Sequence, residues 1–211
     1  MAHRARYRTS VFRRILLQKE SGPFMPIWML IVFLAFSAVV LYAAGALHKK
    51  GGKQPAKACI ASYVSFTLIF LAVWIFSFSV PAYILLLAML AVLISCLFGY
   101  YFNWYNRSIV FDRYLHAYGS FSFALLAFSM VQSLFETGGS RAFQTLFVVT
   151  LGMAIGAVFE LVEAAIDAKK HKKGQPGPDA QRGLADTDFD LIGNCIGSLA
   201  AGVFAVFVLL A

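Results

Sequence analysis

Residues 58–106 read ACIASYVSFTLIFLAVWIFSFSVPAYILLLAMLAVLISCLFGYYFNWYN, 49 uncharged residues between Lys57 and Arg107. As one helix they would extend about 73 Å at about 1.5 Å per residue. A hydrocarbon core is only about 30 Å thick and is crossed by about 20 apolar residues. Pro81 sits near the middle, where it would break or turn a helix. The stretch therefore divides into two spans, near 58–80 and 82–103. Working outward, Ile27–Leu47 is a run of 21 residues without a charge. Three more spans are expected near 109–135, 142–168 and 188–210. The fold is then all-α, a polytopic transmembrane helix bundle of about six spans. It has three parts: a basic N-terminal tail (1–22), three apolar transmembrane helices (23–107), and a three-helix region carrying polar motifs (108–211) with a loop at 169–187.

Composition agrees. Of 211 residues, 60% are apolar and 13% charged, and the mean hydropathy is +0.74. Soluble domains are nearer 45–50% apolar and about 25% charged. A soluble enzyme, a disordered chain and a disulfide scaffold are excluded. Cys59, Cys96 and Cys195 fall inside or at the edge of spans and form no CxxC pair, so they read as packing residues.

The net charge of +8 does not mark a nucleic-acid binder, because the cations cluster at span ends. Arg4, Arg6, Arg8, Arg13, Arg14 and Lys19 precede the first span, and Lys49, Lys50, Lys53 and Lys57 follow it. Lys169, Lys170, Lys172 and Lys173 follow the fifth. Such juxtamembrane charge sets orientation and can contact anionic head groups. The flanks of the first span, six cations before and four after, favour cytoplasmic termini in a cell (inner) membrane. The partners expected are membrane lipids and a lipid-linked substrate, with no nucleic acid; oligomeric state is left open.

The ten acids are unevenly spread: Glu20 is alone before Asp112, and nine follow between Asp112 and Asp190. At 100° per residue, Asp112, His116 and Gly119 share one helical face. Gly152, Gly156, Glu160, Glu163 and Asp167 fall within an arc of about 80° on the fifth span. Asp190, Gly193, Asn194, Gly197 and Ala201 do likewise on the sixth, with Asp188 on the opposite side. Depth matches too. His116 lies 23 residues before Gly139, while Glu160 and Glu163 lie 21 and 24 after it. An antiparallel pair would bring them to one level, near the membrane face where the sixth span begins with Asp186 and Asp190. The pairs Gly152/Gly156 and Gly193/Gly197 allow close helix approach and turn the acids toward helix neighbours. Glu136, Arg141 and Asp179 read as solvated loop charges.

One Asp at a helix centre costs about 2.5–3.5 kcal/mol on insertion scales. Five carboxylates at one level (Asp112, Glu160, Glu163, Asp186, Asp190) cannot all stay ionised without counter-charges. His116, Arg113, Arg182, a shared proton or a divalent metal could supply them. Mg, Mn or Zn would suit the donors, and with one histidine Mg or Mn fits better than Zn. The candidate catalytic or metal-ligating residues are Asp112, His116, Glu160 and Asp190, with Glu163, Asp186 and Asn194 supporting them. Lys169, Lys170, Lys172, Lys173 and Arg182 are candidate head-group contacts. Three readings stay open: a metal or acid–base centre acting on a lipid or lipid-linked head group, a structural polar network in a scaffold or ligand-binding protein, and a proton- or ion-coupled transporter. No P-loop, dinucleotide fingerprint, HExxH or nucleophile elbow is present.

Asp112-Arg113-Tyr114-Leu115-His116, Gly156-x3-Glu160 and Asp186-x3-Asp190-x3-Asn194-x2-Gly197 resemble the YjdF-type family of uncharacterised bacterial inner-membrane proteins and, more distantly, the VanZ-like group linked to teicoplanin resistance. The resemblance covers residues 108–202. It implies an all-helical membrane fold with the polar motifs on the outer face, and it implies no particular chemistry. VanZ-like chains tend to carry Glu then Gln where this chain has Glu160 then Glu163, and this chain has additional N-terminal spans.

Overall fold

A computed structural model describes residues 26–135, 139–174 and 180–209. The basic tail (1–22), Glu136 and Asp179 lie outside the described residues. Within them the chain forms seven helices and no strand. These are α1 (Ile27–Lys49), α2 (Lys53–Ile75), α3 (Ala82–Tyr101), the single turn α4 (Trp104–Arg107), α5 (Ile109–Leu134), α6 (Arg141–Lys172) and α7 (Leu184–Leu209). All but α4 are long and apolar enough to cross a membrane. The last turns of α3 (Ser95–Tyr101) and of α7 (Ala205–Leu209) widen to π geometry.

The charge-free stretch is divided as expected, with Pro81 immediately before α3. The second helix, however, covers 53–75 rather than 58–80. Pro55 falls in its first turn, where proline removes no helical hydrogen bond, so Lys53 can begin the helix. The far end is closed by Ser77 at φ 52°, with the Phe78 N–H donating to the Val73 carbonyl at 3.0 Å. That is the left-handed C-terminal closure usually made by glycine.

The loop expected over 169–187 is also shorter. Helix α6 runs on through Lys169–Lys172, and α7 begins at Leu184. Lysine is a good helix former, and positive charge in a last turn complements the helix dipole. Gly174 (φ 59°) and Gly183 (φ 121°) flank the connection that remains. Arg141 is the exposed first residue of α6, behind Ser140, whose hydroxyl accepts the Phe143 N–H at 3.3 Å.

The chain divides into two compact units, 1–104 with 126–138 and 105–125 with 139–211. Helix α5 contributes a segment to each. The first unit is cored by Met29, Val40, Phe66, Phe70, Ile84 and Leu85. Phe33 stacks on Phe70 at 4.1 Å, and Phe66 meets Phe36 edge-on at 5.5 Å. Cys59 and Cys96 are buried free thiols, each directed at the other's carbonyl at 3.9 Å; Cys195, in the second unit, is also free.

The second unit is held by backbone proximity. A Cβ on Gly152 would strike Ser198, one on Gly156 would lie 2.6 Å from Asn194 Nδ2, and one on Gly202 would lie 2.6 Å from Val149 Cγ2. On the other flank of α7, a Cβ on Gly193 would lie 2.8 Å from the Arg113 carbonyl oxygen, and one on Gly197 would overlap the Ala117 carbonyl. Small residues thus seat α7 directly on both α5 and α6, the packing mode by which membrane helices approach without a hydrophobic driving force. Gly119, by contrast, faces open space.

Candidate functional site

The site forms where the start of α5, the last turns of α6 and the start of α7 meet at one end of the second unit. Ser108 opens α5 by accepting the Phe111 N–H at 3.2 Å, which puts Asp112 in the first turn, the end where the helix dipole favours an acid. His116 follows one turn later. On α6, the contact of Gly156 with Asn194 sets the depth at which Glu160 and Glu163 emerge. On α7, Gly193 against α5 sets the position of Asp190.

The sequence-expected residues converge. His116 Nδ1 lies 3.4 Å from Glu160 Oε1, and His116 Nε2 lies 3.8 Å from Asp112 Oδ1. The imidazole is 8% exposed, and the Asp112 and Glu160 side chains 15% and 6%. Two groups each bring one donor atom per residue to within 4.8 Å of one another: His116, Glu160 and Glu163, and Asp112, Asp186 and Asp190. His116 joins the two through its second nitrogen. Phe159 meets the imidazole edge-on at 6.1 Å. Asp188 is exposed, as its opposite facing required.

Asn194 lies one turn below Asp190 and belongs to a separate hydrogen-bond chain. Its Oδ1 accepts the Ser120 hydroxyl at 2.7 Å, and its carbonyl accepts the Ser198 hydroxyl at 2.6 Å. Of the expected head-group contacts, Lys169, Lys172 and Lys173 are exposed on the last turn of α6, whereas Lys170 is buried. Arg182 donates its guanidinium to the Tyr105 carbonyl and its backbone N–H to Asp186 Oδ2 at 3.1 Å.

Two contributions were not assigned from sequence. Asp167 accepts the backbone N–H groups of Ala180 and Gln181, both at 2.9 Å. Gln181 then donates its side-chain amide to the Glu160 carbonyl at 3.0 Å and to Glu160 Oε2 at 3.2 Å. The segment preceding α7 therefore folds back over the site and holds one oxygen of Glu160. The place of Asp167 on the Glu160 face was readable from helical spacing. The return of residues 180–182 was not, because loops carry no periodicity. Arg113, expected among the counter-charges, places its guanidinium carbon 3.9 Å from the Phe189 ring centroid.

The family model described as "Predicted membrane protein (DUF2238)" matches residues 24–210. The chain belongs to this family. The matched region takes in all six long helices and every residue of the site. Among curated proteins, an uncharacterized protein of Thermotoga maritima is 27% identical over 107 residues, 51% of this chain. The match spans about half (53%) of that relative's length. No solved structure matches the chain.

Whether a divalent cation suits these residues can be judged from the side chains. Glu160 Oε1 and Asp190 Oδ1 are buried carboxylate oxygens with no hydrogen-bond partner among the described residues, and His116 approaches the former outside hydrogen-bond geometry. Leaving such oxygens unsatisfied is costly. One imidazole with several carboxylates is a donor set for hard or borderline divalent cations. The residues fit.

Proposed function

We propose that this DUF2238 member is a multi-pass cell-membrane protein with a divalent-cation centre at the membrane interface, which binds, and hydrolyses or transfers, the polar head group of a lipid or lipid-linked molecule. The observation that carries the reading is the pair of unpartnered, buried carboxylate oxygens, Glu160 Oε1 and Asp190 Oδ1, on either side of the His116–Asp112 contact. An interfacial position is supported by α6, whose 32 residues extend about 48 Å and so outreach a hydrocarbon core of about 30 Å. The short motifs around Asp112, Glu160 and Asp190 support a YjdF-type placement within the family and, more distantly, a VanZ-like one. The flanking cations of α1 support cytoplasmic termini.

In this reading His116 Nδ1, Glu160 and Glu163 hold one cation, and Asp112, Asp186 and Asp190 offer an all-oxygen set for another. A bound cation supplies Lewis-acid polarisation of a substrate oxygen and a more acidic water. Asp112 stands on the Nε2 side of the imidazole at 3.8 Å, and on drawing into hydrogen-bond range it would orient the ring as a carboxylate–histidine pair does. Gln181 donates a hydrogen bond to the second oxygen of Glu160 and holds the carboxylate in one orientation. A purely structural network remains the rival, favoured by the Ser120–Asn194–Ser198 chain.

Metal analysis of detergent-purified protein separates them. Mg, Mn or Zn should co-purify or rebind with the wild type and be lost in Glu160→Gln and Asp190→Asn variants that still elute as folded protein. A wild type that neither retains nor rebinds any divalent cation overturns the proposal in favour of the network.

A further inference from the structure

Arg113 is near enough for its charge to act on Asp190, yet it forms no direct ion pair among the described residues. It lies between two of the acids in both sequence and space. Asp112 precedes it on α5, and its guanidinium covers Phe189, which precedes Asp190 on α7. With carboxylates on both flanks, an arginine inside a membrane helix would be expected to pair with one of them. Among the described residues it makes no ion pair, and its Nε is buried without a hydrogen-bond partner. Arg182, the other arginine of the site, is by contrast fully engaged with Tyr105 and through its backbone with Asp186.

The position of Arg113 is not adjustable. Its carbonyl lies where a Gly193 side chain would begin, so the backbone is held against α7, and the guanidinium carbon sits over the Phe189 ring. A guanidinium covered by an aromatic ring on one side keeps N–H groups for forked hydrogen bonding. The surroundings open outward: Phe189 is half-exposed, and Tyr114 beside Arg113 is 72% exposed. Arg113 also lies in the second turn of α5, about 6 Å along the axis from Ile109 and so near one end of that span.

We propose that Arg113 is the anion-binding residue of this site and that the group it takes is a phosphate, either a phosphate ester on a lipid head group or free phosphate. The proposal rests on the cation-centre reading for the identity of the site, and it names the substrate class of that site. Arg113 would hold two phosphate oxygens through its fork, and the bound phosphate would lie between Arg113 and the Asp112–Asp190 pair, where cation-held carboxylates no longer repel it. Aromatic-backed guanidinium groups are suited to phosphate because they are weakly hydrated and bidentate.

The test is a set of binding titrations on the full chain in detergent, using short-chain phosphatidic acid, the matching diacylglycerol and inorganic phosphate, each with added Mg or Mn and again with EDTA. The wild type should bind phosphatidic acid about tenfold or more tightly than diacylglycerol, the discrimination expected of a charge-assisted fork. Arg113→Gln should remove that preference, and Arg113→Lys should lose most of it because an ammonium lacks the fork. Cation content should stay at the wild-type level in both. If Arg113→Gln fails to fold, Arg113→Lys alone decides. Inorganic phosphate binding with the same Arg113 dependence assigns the group to free phosphate, and its failure to bind assigns it to the lipid; both support the anion site. Equal binding of the two lipids by a cation-loaded wild type, or full preference in Arg113→Lys and Arg113→Gln, overturns the proposal and leaves the cation reading standing. An Arg113-dependent preference in a protein that binds no cation does the reverse.

Discussion

His116 Nδ1 and Glu160 Oε1, on helices α5 and α6, face each other at 3.4 Å with both side chains less than a tenth exposed. Removing the imidazole leaves the buried Glu160 with Gln181 on Oε2 and other acids around Oε1. Breaking a buried pair from one side costs about 3–5 kcal/mol. His116→Ala should therefore melt well below the wild type in cation-free detergent, and adding Glu160→Gln should recover part of the loss. Equal melting of the two variants would deny the coupling.

Cation removal gives a second prediction. A ligand at about one hundred times its Kd stabilises the folded state by about 2.7 kcal/mol. EDTA should lower the wild-type melting temperature and have a smaller effect on Glu160→Gln and on Asp190→Asn. A chelator effect of equal size in all three proteins would place the cation elsewhere.

The glycine seam predicts a contrast within α5 and α7. Gly197→Ala would drive a methyl into the Ala117 carbonyl, and overpacking of this kind costs about 1–3 kcal/mol or more. Gly119→Ala meets open space and should change stability by no more than about 0.5 kcal/mol. Thermal melts of the two variants side by side check the difference.

Asp167 closes the segment before α7 with two backbone hydrogen bonds. Asn offers one acceptor oxygen where Asp offers two, and hydrogen bonds to a charged group are worth about 1.5–3 kcal/mol each. Asp167→Asn should speed amide exchange in peptides covering Ala180–Arg182 while leaving α1–α3 unchanged. Wild-type protection there would show that the carboxylate does not hold the segment.

Ser120 donates to Asn194 in a buried position. Ser120→Ala should destabilise by about 1–3 kcal/mol, since Asn194 Oδ1 loses its donor. A double-mutant cycle with Asn194→Ala should return a coupling of about 0.5–3 kcal/mol. Strict additivity would mean that the contact contributes nothing.

Much of this molecule was readable residue by residue. The length of the uncharged run around Pro81 divided it into two spans, and the 100° spacing put Asp112 with His116, and Gly156 with Glu160, on common faces. Counting outward from Gly139 brought His116 and Glu160 to one depth, where they meet. What escaped depends on chain path rather than periodicity. Gln181 reaches Glu160 because residues 180–182 return onto α6, and nothing in their composition encodes that return. Helix α2 begins early because Pro55 is tolerated in a first turn, a matter of position rather than residue type. Arg113 read as one more counter-charge because spacing reports which face a residue occupies, not whether a partner is within reach.

The contacts of Gly193 and Gly197 with the carbonyls of α5 leave no side chain between the two backbones. A side chain is an adjustable spacer: it can change rotamer and absorb a small slip. Bare backbone cannot. A one-residue insertion in α7 between Asn194 and Gly197 would turn everything before it by 100° relative to the glycine below, carrying Asp190 off the site face. Helix α7 therefore has one seating in which Asp190, Gly193 and Gly197 all meet their neighbours, and the site is assembled by registration of main chains before any of its charged groups is considered.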